Sequence, residues 1–463
     1  MTLARQHAIV IGGSLAGLLA ARVLSDYFER VTVLDRDTLP DGPEPRKGVP
    51  QATHVHVLLR RGMLILEDLL PGLDTELAQA GAPLINWTSD FVNFTPAGWG
   101  PRFPSTLTTR ACSRGLLEYA VRRRVAARPN ITFEARREAI GLLTNDDRSS
   151  VTGVHIIDRD RTSDARSDLP GDLVVDASGR TSHVLDWLIE SGYTAPAETI
   201  IDSHLGYATR AYRRPPYFAA DWRVMIIRAR PPYGTRGGLI YPIEHDRWLV
   251  NLCGAGDERP PTDGQAFLEF TRTIIHPAVY EAIKDAEPLS PVYGYQRTEN
   301  RWRHYEQLTR WPENFVVLGD AAYAFNPIYG QGMTVAGLEA QALDRSLRTA
   351  QGCLDFQKSL AKVVRLPWLL ATTEDSRVPG VEVNERSGRL DVLLRRYIDE
   401  VVWQTSDDAV TFETFMRISH LIAPPGRLMQ PHIMLGVIKR WLRRLKPAGQ
   451  PTDPIPAAPP PIA

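Results

Sequence analysis

Ala8-Ile9-Val10-Ile11 is a short apolar run closed by glycines, a pattern that predicts a strand buried on both faces. It passes into Gly12-Gly13-Ser14-Leu15-Ala16-Gly17, then a stretch with helical periodicity. A second buried run, Val31-Thr32-Val33-Leu34, ends on Asp35. Residues 36–50 are rich in Pro, Gly and charge and predict a loop, and 63–70 predict a short helix stopped by Pro71-Gly72. A helix is expected over 113–124, strands over 131–133, 139–143 and 151–157, and a charged surface turn over 158–168. Leu173-Val174-Val175 is again a buried strand, running into Asp176-Ala177-Ser178-Gly179-Arg180. From about Thr199 to Tyr295 the pattern is that of antiparallel strands, with 239–243 and 247–252 as a hairpin and a helix over 267–275. Phe315-Val316-Val317-Leu318 is buried-type once more and ends at Gly319-Asp320. A helix starts near Gly332, and helical periodicity continues beyond Ala350 to about Lys446. The Pro/Ala-rich tail 447–463 is expected to be disordered.

The first strand–turn–helix–strand is a βαβ unit with an acid about twenty residues past the turn, the layout of a dinucleotide site. Gly12 permits the sharp exit from the strand, and Gly17 lets the helix lie close to the sheet. The free N–H groups of the helix N-terminus suit a pyrophosphate, and Asp35 suits a ribose diol. Ser14 stands where the motif has its middle glycine: either Gly13 supplies the close approach or Ser14 caps the helix. This unit alone does not say which dinucleotide is bound.

Composition narrows the class. The 463 residues suffice for two or three domains, and 43% apolar with 23% charged residues is ordinary for a globular protein. Lys+Arg and Asp+Glu both total 54, so nothing points to a nucleic-acid partner. Cys112, Cys253 and Cys353 have neither disulfide nor metal-ligand spacing, which fits a reducing compartment, and no metal site is expected. No apolar run reaches a membrane span, the N-terminus has no signal-peptide layout, and a cytoplasmic location is expected.

Several side chains stand out. Trp87, Phe91 and Phe94 lie in an aromatic, irregular segment, 84–104, that reads equally as a strand pair on the core or as the wall of an apolar pocket. With Tyr241 they are the candidate substrate-pocket residues. Arg122, Arg123 and Arg124 read as a solvated helix C-terminus, but Arg114 sits in a first helical turn, where a cation is unfavourable unless it meets an anion. Residues 433–446 form a basic amphipathic pattern; docking on the protein core is the commoner fate, weak peripheral contact with an anionic membrane the alternative.

Two later stretches decide the cofactor. One is Asp176 to Ser182. The other is Gly319-Asp320 followed by Asn326-Pro327-Ile328-Tyr329-Gly330-Gln331-Gly332-Met333-Thr334. A strand tip here delivers a carboxylate to a polyol, and a Pro/Gly turn aims a helix N-terminus at a group that gathers negative charge, as a reduced flavin does.

These three stretches together, in this order, resemble the group A flavin monooxygenases, a family that includes p-hydroxybenzoate hydroxylase and squalene epoxidase. They cover, in pieces, the chain up to Ala350. Arg46-Lys47-Gly48-Val49-Pro50-Gln51 with His54 and His56 looks like the bacterial squalene-epoxidase-like subgroup, which includes polyene epoxidases. The pattern and the resemblance together imply an α/β fold class: a discontinuous Rossmann-like FAD-binding domain (1–60, 105–185 and 297–350) and an inserted antiparallel-sheet substrate domain (61–104 and 186–296); the helical C-terminal region (351–446) is read from its periodicity alone. It implies that Gly12, Gly13, Ser14, Gly17, Asp35 and Arg36 bind the ADP half of FAD, with Arg46 and Arg114 near the pyrophosphate and ribityl chain. Gly319 and Asp320 would hold ribityl and pyrophosphate oxygens, while Pro327, Gly330, Gly332 and Met333 would face the flavin. The segment holding Asp176 and Gly179 would serve FAD and the reducing nucleotide; Ala177 replaces the family's glycine there. His54 and His56 would pass the flavin edge as candidate catalytic groups.

The chemistry implied is reduction of FAD by NADPH or NADH, addition of O2 at flavin C4a, and epoxidation or hydroxylation of a lipophilic terpenoid, polyene or aromatic compound. The alternative is a reductase of the geranylgeranyl-reductase type without oxygen transfer. A halogenase is disfavoured by the lack of a Trp-x-Trp-x-Ile-Pro stretch, and a non-catalytic FAD binder by the intact Asp320 and Gly330-Gln331-Gly332. Nothing in the sequence sets an oligomeric state.

Overall fold

A computed structural model describes residues 5–95, 97–160, 166–229, 234–378, 380–381, 389–444 and 459–460. The chain folds as α/β. The four buried-type runs pair in parallel with a fifth strand, in the order Phe315–Val317, Leu173–Asp176, His7–Ile11, Arg30–Asp35, Ile131–Ala135. Strands buried on both faces read as continuous apolar runs, which is why the sequence showed them plainly. Helices Leu15–Leu24, Arg60–Leu69 and Gly332–Arg348 pack together over the sheet, sharing one core with its strands through Leu18, Leu66, Ala336 and Ala340. Arg137–Thr144, Val151–Asp158 and Arg166–Pro170 form a separate antiparallel sheet. The charged turn expected over 158–168 is therefore shorter, because Arg166–Pro170 pairs with Val151–Asp158; residues 161–165 lie outside the described residues.

A seven-stranded sheet carries the order Tyr293–Tyr295, Leu205–Arg213, Arg247–Ala255, Gly237–Ile243, Val224–Ile227, Phe91–Thr95, Gly98–Trp99. The expected hairpin is present, Gly237–Ile243 against Arg247–Ala255, and its turn is made by His245 and Asp246, both with positive φ. Phe91–Thr95 adds parallel to Val224–Ile227, so residues before the long insertion complete its sheet.

The C-terminal region is helical: Cys353–Asp375, Arg389–Gln404, Ala409–Ser419 and Pro431–Arg444. In Pro431–Arg444, Ile433 and Val437 are buried in a small core with Val401 and Leu428, while Met434, Leu435, Ile438, Trp441 and Leu442 are exposed. The helix thus docks by one stripe only. Of the tail expected to be disordered, only Pro459 and Pro460 are among the described residues, and the Pro460 carbonyl accepts from Arg102 Nη1 at 3.0 Å. Among the described residues no helix is long and apolar enough to cross a membrane.

Candidate functional site

A cleft of about 340 Å³ starts at the glycine turn and ends at the Pro327–Met333 turn. At the first end, Gly12 has φ +102°, and a Cβ there would lie 2.5 Å from the Ala177 carbonyl oxygen. Gly17 does not line the cleft. Its role is packing: a Cβ on Gly17 would sit 1.8 Å from the Gly12 carbonyl oxygen. Ser14 occupies the N-cap position without capping; its hydroxyl donates to Glu118 Oε2 at 2.9 Å, which leaves the helix N–H groups open to the cleft. Close approach falls to Gly13, whose N–H donates to Asp35 Oδ2 at 2.8 Å.

Charges beside this turn form one buried network. Arg46 Nη1 lies 2.9 Å from Asp35 Oδ2 and 3.1 Å from Asp37 Oδ2, and its Nε lies 3.0 Å from Glu118 Oε1. Arg114 Nη2 donates to Glu118 Oε2 at 2.6 Å and to Ser14 Oγ at 2.8 Å. Burial pushes the Glu118 carboxyl up, but Arg114 and Arg46 outweigh it and hold the group below its ordinary range. Arg114 Nε and Nη1 are buried with no partner among the described residues, and Arg114 lines the cleft. Buried donors of a cation left unpaired call for an anion, which is what a pyrophosphate supplies. Arg36 lines the same end and reaches Thr181 Oγ1 at 3.4 Å. The expected solvated arginine run is corrected at Arg122, which is buried and donates to the Pro40 carbonyl; Arg123 and Arg124 pair with Glu76.

Gly179, Gly319 and Asp320 line the middle. Burial raises the Asp320 carboxyl, offset by Arg180, whose Nε lies 3.6 Å away. Asp176 does not reach the cleft. It is fully buried and accepts from the Ser178 N–H at 3.0 Å and the Ser182 hydroxyl at 2.5 Å, so it closes the turn that presents Ala177, Ser178 and Gly179. Behind Gly319, the Glu339 carboxyl accepts its N–H at 2.9 Å, and burial pushes that carboxyl up to about 8.

At the far end, Asn326 accepts from Ile328 N–H at 3.2 Å and starts the Pro327–Tyr329 turn. Gly330 closes it at φ +65° and Gly332 opens the following helix. Pro327, Gly330, Gly332 and Met333 all line the cleft. Opposite them, only one of the two candidate histidines faces in. His56 lines the cleft, and its Nδ1 lies 3.0 Å from the His54 carbonyl; burial first, then Arg114, holds it neutral down to about 3. His54 points away. Its Nδ1 meets Thr209 Oγ1 at 2.8 Å, and because that hydroxyl donates onward to Asn251 Oδ1 at 2.7 Å, His54 must be the donor.

The four aromatic pocket candidates are core residues. Trp87, Phe91 and Tyr241 are buried in one cluster with Phe412 and Met416 of the Ala409–Ser419 helix, and Phe94 packs in the core of the opposite sheet face with Trp99 and Ile227. One cross-strand row on the Phe91 and Tyr241 face runs in register through Thr209, Asn251, Leu239, Ile226 and Asn93, its three polar members buried. Leu239 and Ile226 are only half-buried at the centre of the sheet, and they share a cluster with Val55 and Val57 beside His56. Sequence reasoning missed this row, and it missed Glu118 and Arg180. The Arg114–Glu118 spacing of four was a readable signal for Glu118.

Comparison with known proteins agrees with this geometry. Residues 5–350 match the family model described as an FAD binding domain. The chain is similar to "Protein Rv3254" of Mycobacterium tuberculosis, 32% identical over 392 residues, covering 80% of each chain. It is similar to a kynurenine 3-monooxygenase of Salinispora tropica, 25% identical over 350 residues, covering 74% of this chain and 73% of that one. In structure it resembles the flavin-dependent brominase Bmp2 with a TM-score of 0.66 at 14% identity, over 95% of this chain and 100% of the other, a likeness of fold.

Proposed function

The chain belongs to the FAD-binding-domain family of group A flavoproteins, and on that premise we propose that it is an NAD(P)H-dependent monooxygenase acting on a lipophilic small molecule. The observation that carries this is the continuity of one cleft, from unpaired arginine donors through Asp320 to the Pro327–Met333 turn. A molecule with an anionic centre, a polyol arm and a planar end fits that sequence of groups. Bound FAD supplies the redox chemistry, accepting hydride from NADPH or NADH and activating O2.

The chain's own residues do the rest. The open helix N-terminus and Arg114 would hold the pyrophosphate, Asp35 with Arg46 the ribose, and Asp320 the ribityl hydroxyls. Backbone donors of the 330–333 turn would stabilise charge at the flavin edge. Neutral His56, with Nδ1 spent on a carbonyl, presents Nε2 as an acceptor. It would accept a hydrogen bond from an N–H of the bound flavin or from a substrate hydroxyl. Leu239 and Ile226, clustered with the cleft-lining Val55 and Val57, would give the substrate an apolar floor, which favours an alkene, polyene or arene over a polar compound.

The reading is tested by loading the protein with FAD and following NADPH oxidation with a terpenoid, polyene and phenol panel, recording product masses. Stimulated oxidation with gain of one oxygen is expected. A reduced product formed without O2 would make the protein a reductase of the geranylgeranyl-reductase type.

A further inference from the structure

The helix Cys353–Asp375 ends on a carboxylate that belongs to none of the groups above. Asp375 is fully buried, and it sits at the helix C-terminus, where the helix dipole opposes a negative charge. Such a placement persists only if other bonds compensate for it. They come from three separate parts of the chain. Asp375 Oδ1 accepts from the Tyr329 hydroxyl at 2.7 Å, from Ser203 Oγ at 3.0 Å and from Asn326 Nδ2 at 3.0 Å, while Oδ2 accepts from Asn300 Nδ2. Asn326 is held a second time, its backbone N–H donating to Asn300 Oδ1 at 2.8 Å. Two of the four donors, Asn326 and Tyr329, are the ends of the turn whose Pro327 and Gly330 line the cleft.

We propose that Asp375 is a positioning residue: through it the C-terminal helical region clamps the Asn326–Met333 turn in the shape that receives the flavin. This rests on the FAD reading above. The C-terminal region, which no motif explains, thereby acquires a role in cofactor geometry without touching the cofactor. A carboxylate suits the task because all four partners are donors. An amide of the same shape would turn an NH2 group toward some of them, and the clamp would loosen.

Charge state is part of the device. Burial raises the Asp375 carboxyl to about 6, against the hydrogen bonds from Tyr329, Ser203, Asn300 and Asn326 that lower it. The other titratable groups around the clamp are Tyr329, kept protonated by burial and by Asp375 and Glu374, with Cys253, Arg228 and Arg377 beside it. The Asp375 carboxyl changes charge near pH 6. Protonation removes one acceptor oxygen from the clamp.

The test compares wild-type protein, Asp375→Asn and Tyr329→Phe, each stripped of FAD, by FAD titration between pH 5 and 8, flavin midpoint potential and apo-protein melting. Asp375→Asn is expected to weaken FAD by about tenfold or more and to shift the potential while apo-protein melting changes little. Wild-type affinity is expected to fall as pH drops through about 6, and the variant's profile to be flat. Tyr329→Phe, which removes one donor and leaves the fold, is expected to lose several-fold in affinity; it decides the matter if Asp375→Asn does not fold. Wild-type affinity, potential and pH profile in the folded variants would overturn the proposal. Failure of the wild type to bind FAD would overturn the FAD reading itself, and with it this role.

Discussion

His56 Nδ1 lies 3.0 Å from the backbone carbonyl of His54, and this bond gives two neighbouring histidines different tasks. His56 is left with a bare Nε2 in the cleft, whereas His54 is tied into the sheet through Thr209. His56→Ala is expected to lower kcat/KM and the product formed per NADPH roughly tenfold, the worth of one hydrogen bond. His54→Ala is expected to lower stability chiefly. Coupling measured beside oxygen uptake checks this; unchanged coupling in His56→Ala would remove the residue from the mechanism.

The glycine turn should tolerate no side chain at Gly17. Its Cβ would lie 1.8 Å from the Gly12 carbonyl, so the helix must move off the sheet. Gly17→Ala is expected to cost about 3 kcal/mol or more and to abolish FAD binding. Thermal melting of the apo-protein and FAD titration measure both effects.

Two buried histidines make the fold acid-sensitive. His420 accepts the Arg60 N–H at 3.1 Å on Nδ1, and burial first, then Arg60, lowers it to about 3; His54 is lowered by burial to about 4. A base depressed in the folded state stabilises fully above its unfolded value of about 6.5 and loses that contribution as pH falls toward the folded value. Each is expected to withdraw about 2 kcal/mol between pH 7.5 and 5. His420→Gln should lower stability at pH 7.5 yet flatten the pH dependence in denaturant titrations.

The substrate floor and the aromatic core should separate experimentally. Leu239→Ala and Ile226→Ala are expected to raise KM several-fold at a cost of about 1–2 kcal/mol, since both side chains are only partly buried. Trp87→Ala, filled in by Phe412 and Met416, is expected to cost about 3–5 kcal/mol with KM unchanged in whatever folds. Steady-state kinetics with denaturant unfolding distinguishes them.

The strands of the parallel sheet were legible as continuous apolar runs, and the glycine-turn end of the cleft because it is local: Gly12 to Asp35 is one contiguous unit whose turn chemistry is written in its residues. Arg114 also announced itself, as a cation in the wrong helical turn that needed an anion. The errors arose where two distant segments decide one side chain's surroundings. The segment with Phe91 read equally as core strand or pocket wall, and nothing near it in sequence says that Phe412 will join its cluster and decide for the core. Asp176 sits at a strand tip as a ligand would, but Ser182 takes its oxygen first. The turn at Asn326 was readable as a flavin-facing element, whereas the carboxylate holding it comes from Asp375, at the end of a helix with no motif.

The proposed activity is transfer of one oxygen atom from O2 to the substrate. The most direct measurement is turnover of the FAD-loaded protein under isotopically heavy dioxygen with the compound that most stimulates NADPH oxidation. One heavy oxygen atom in the product is expected. A product without heavy oxygen, or the same product formed under anaerobic conditions, would contradict it.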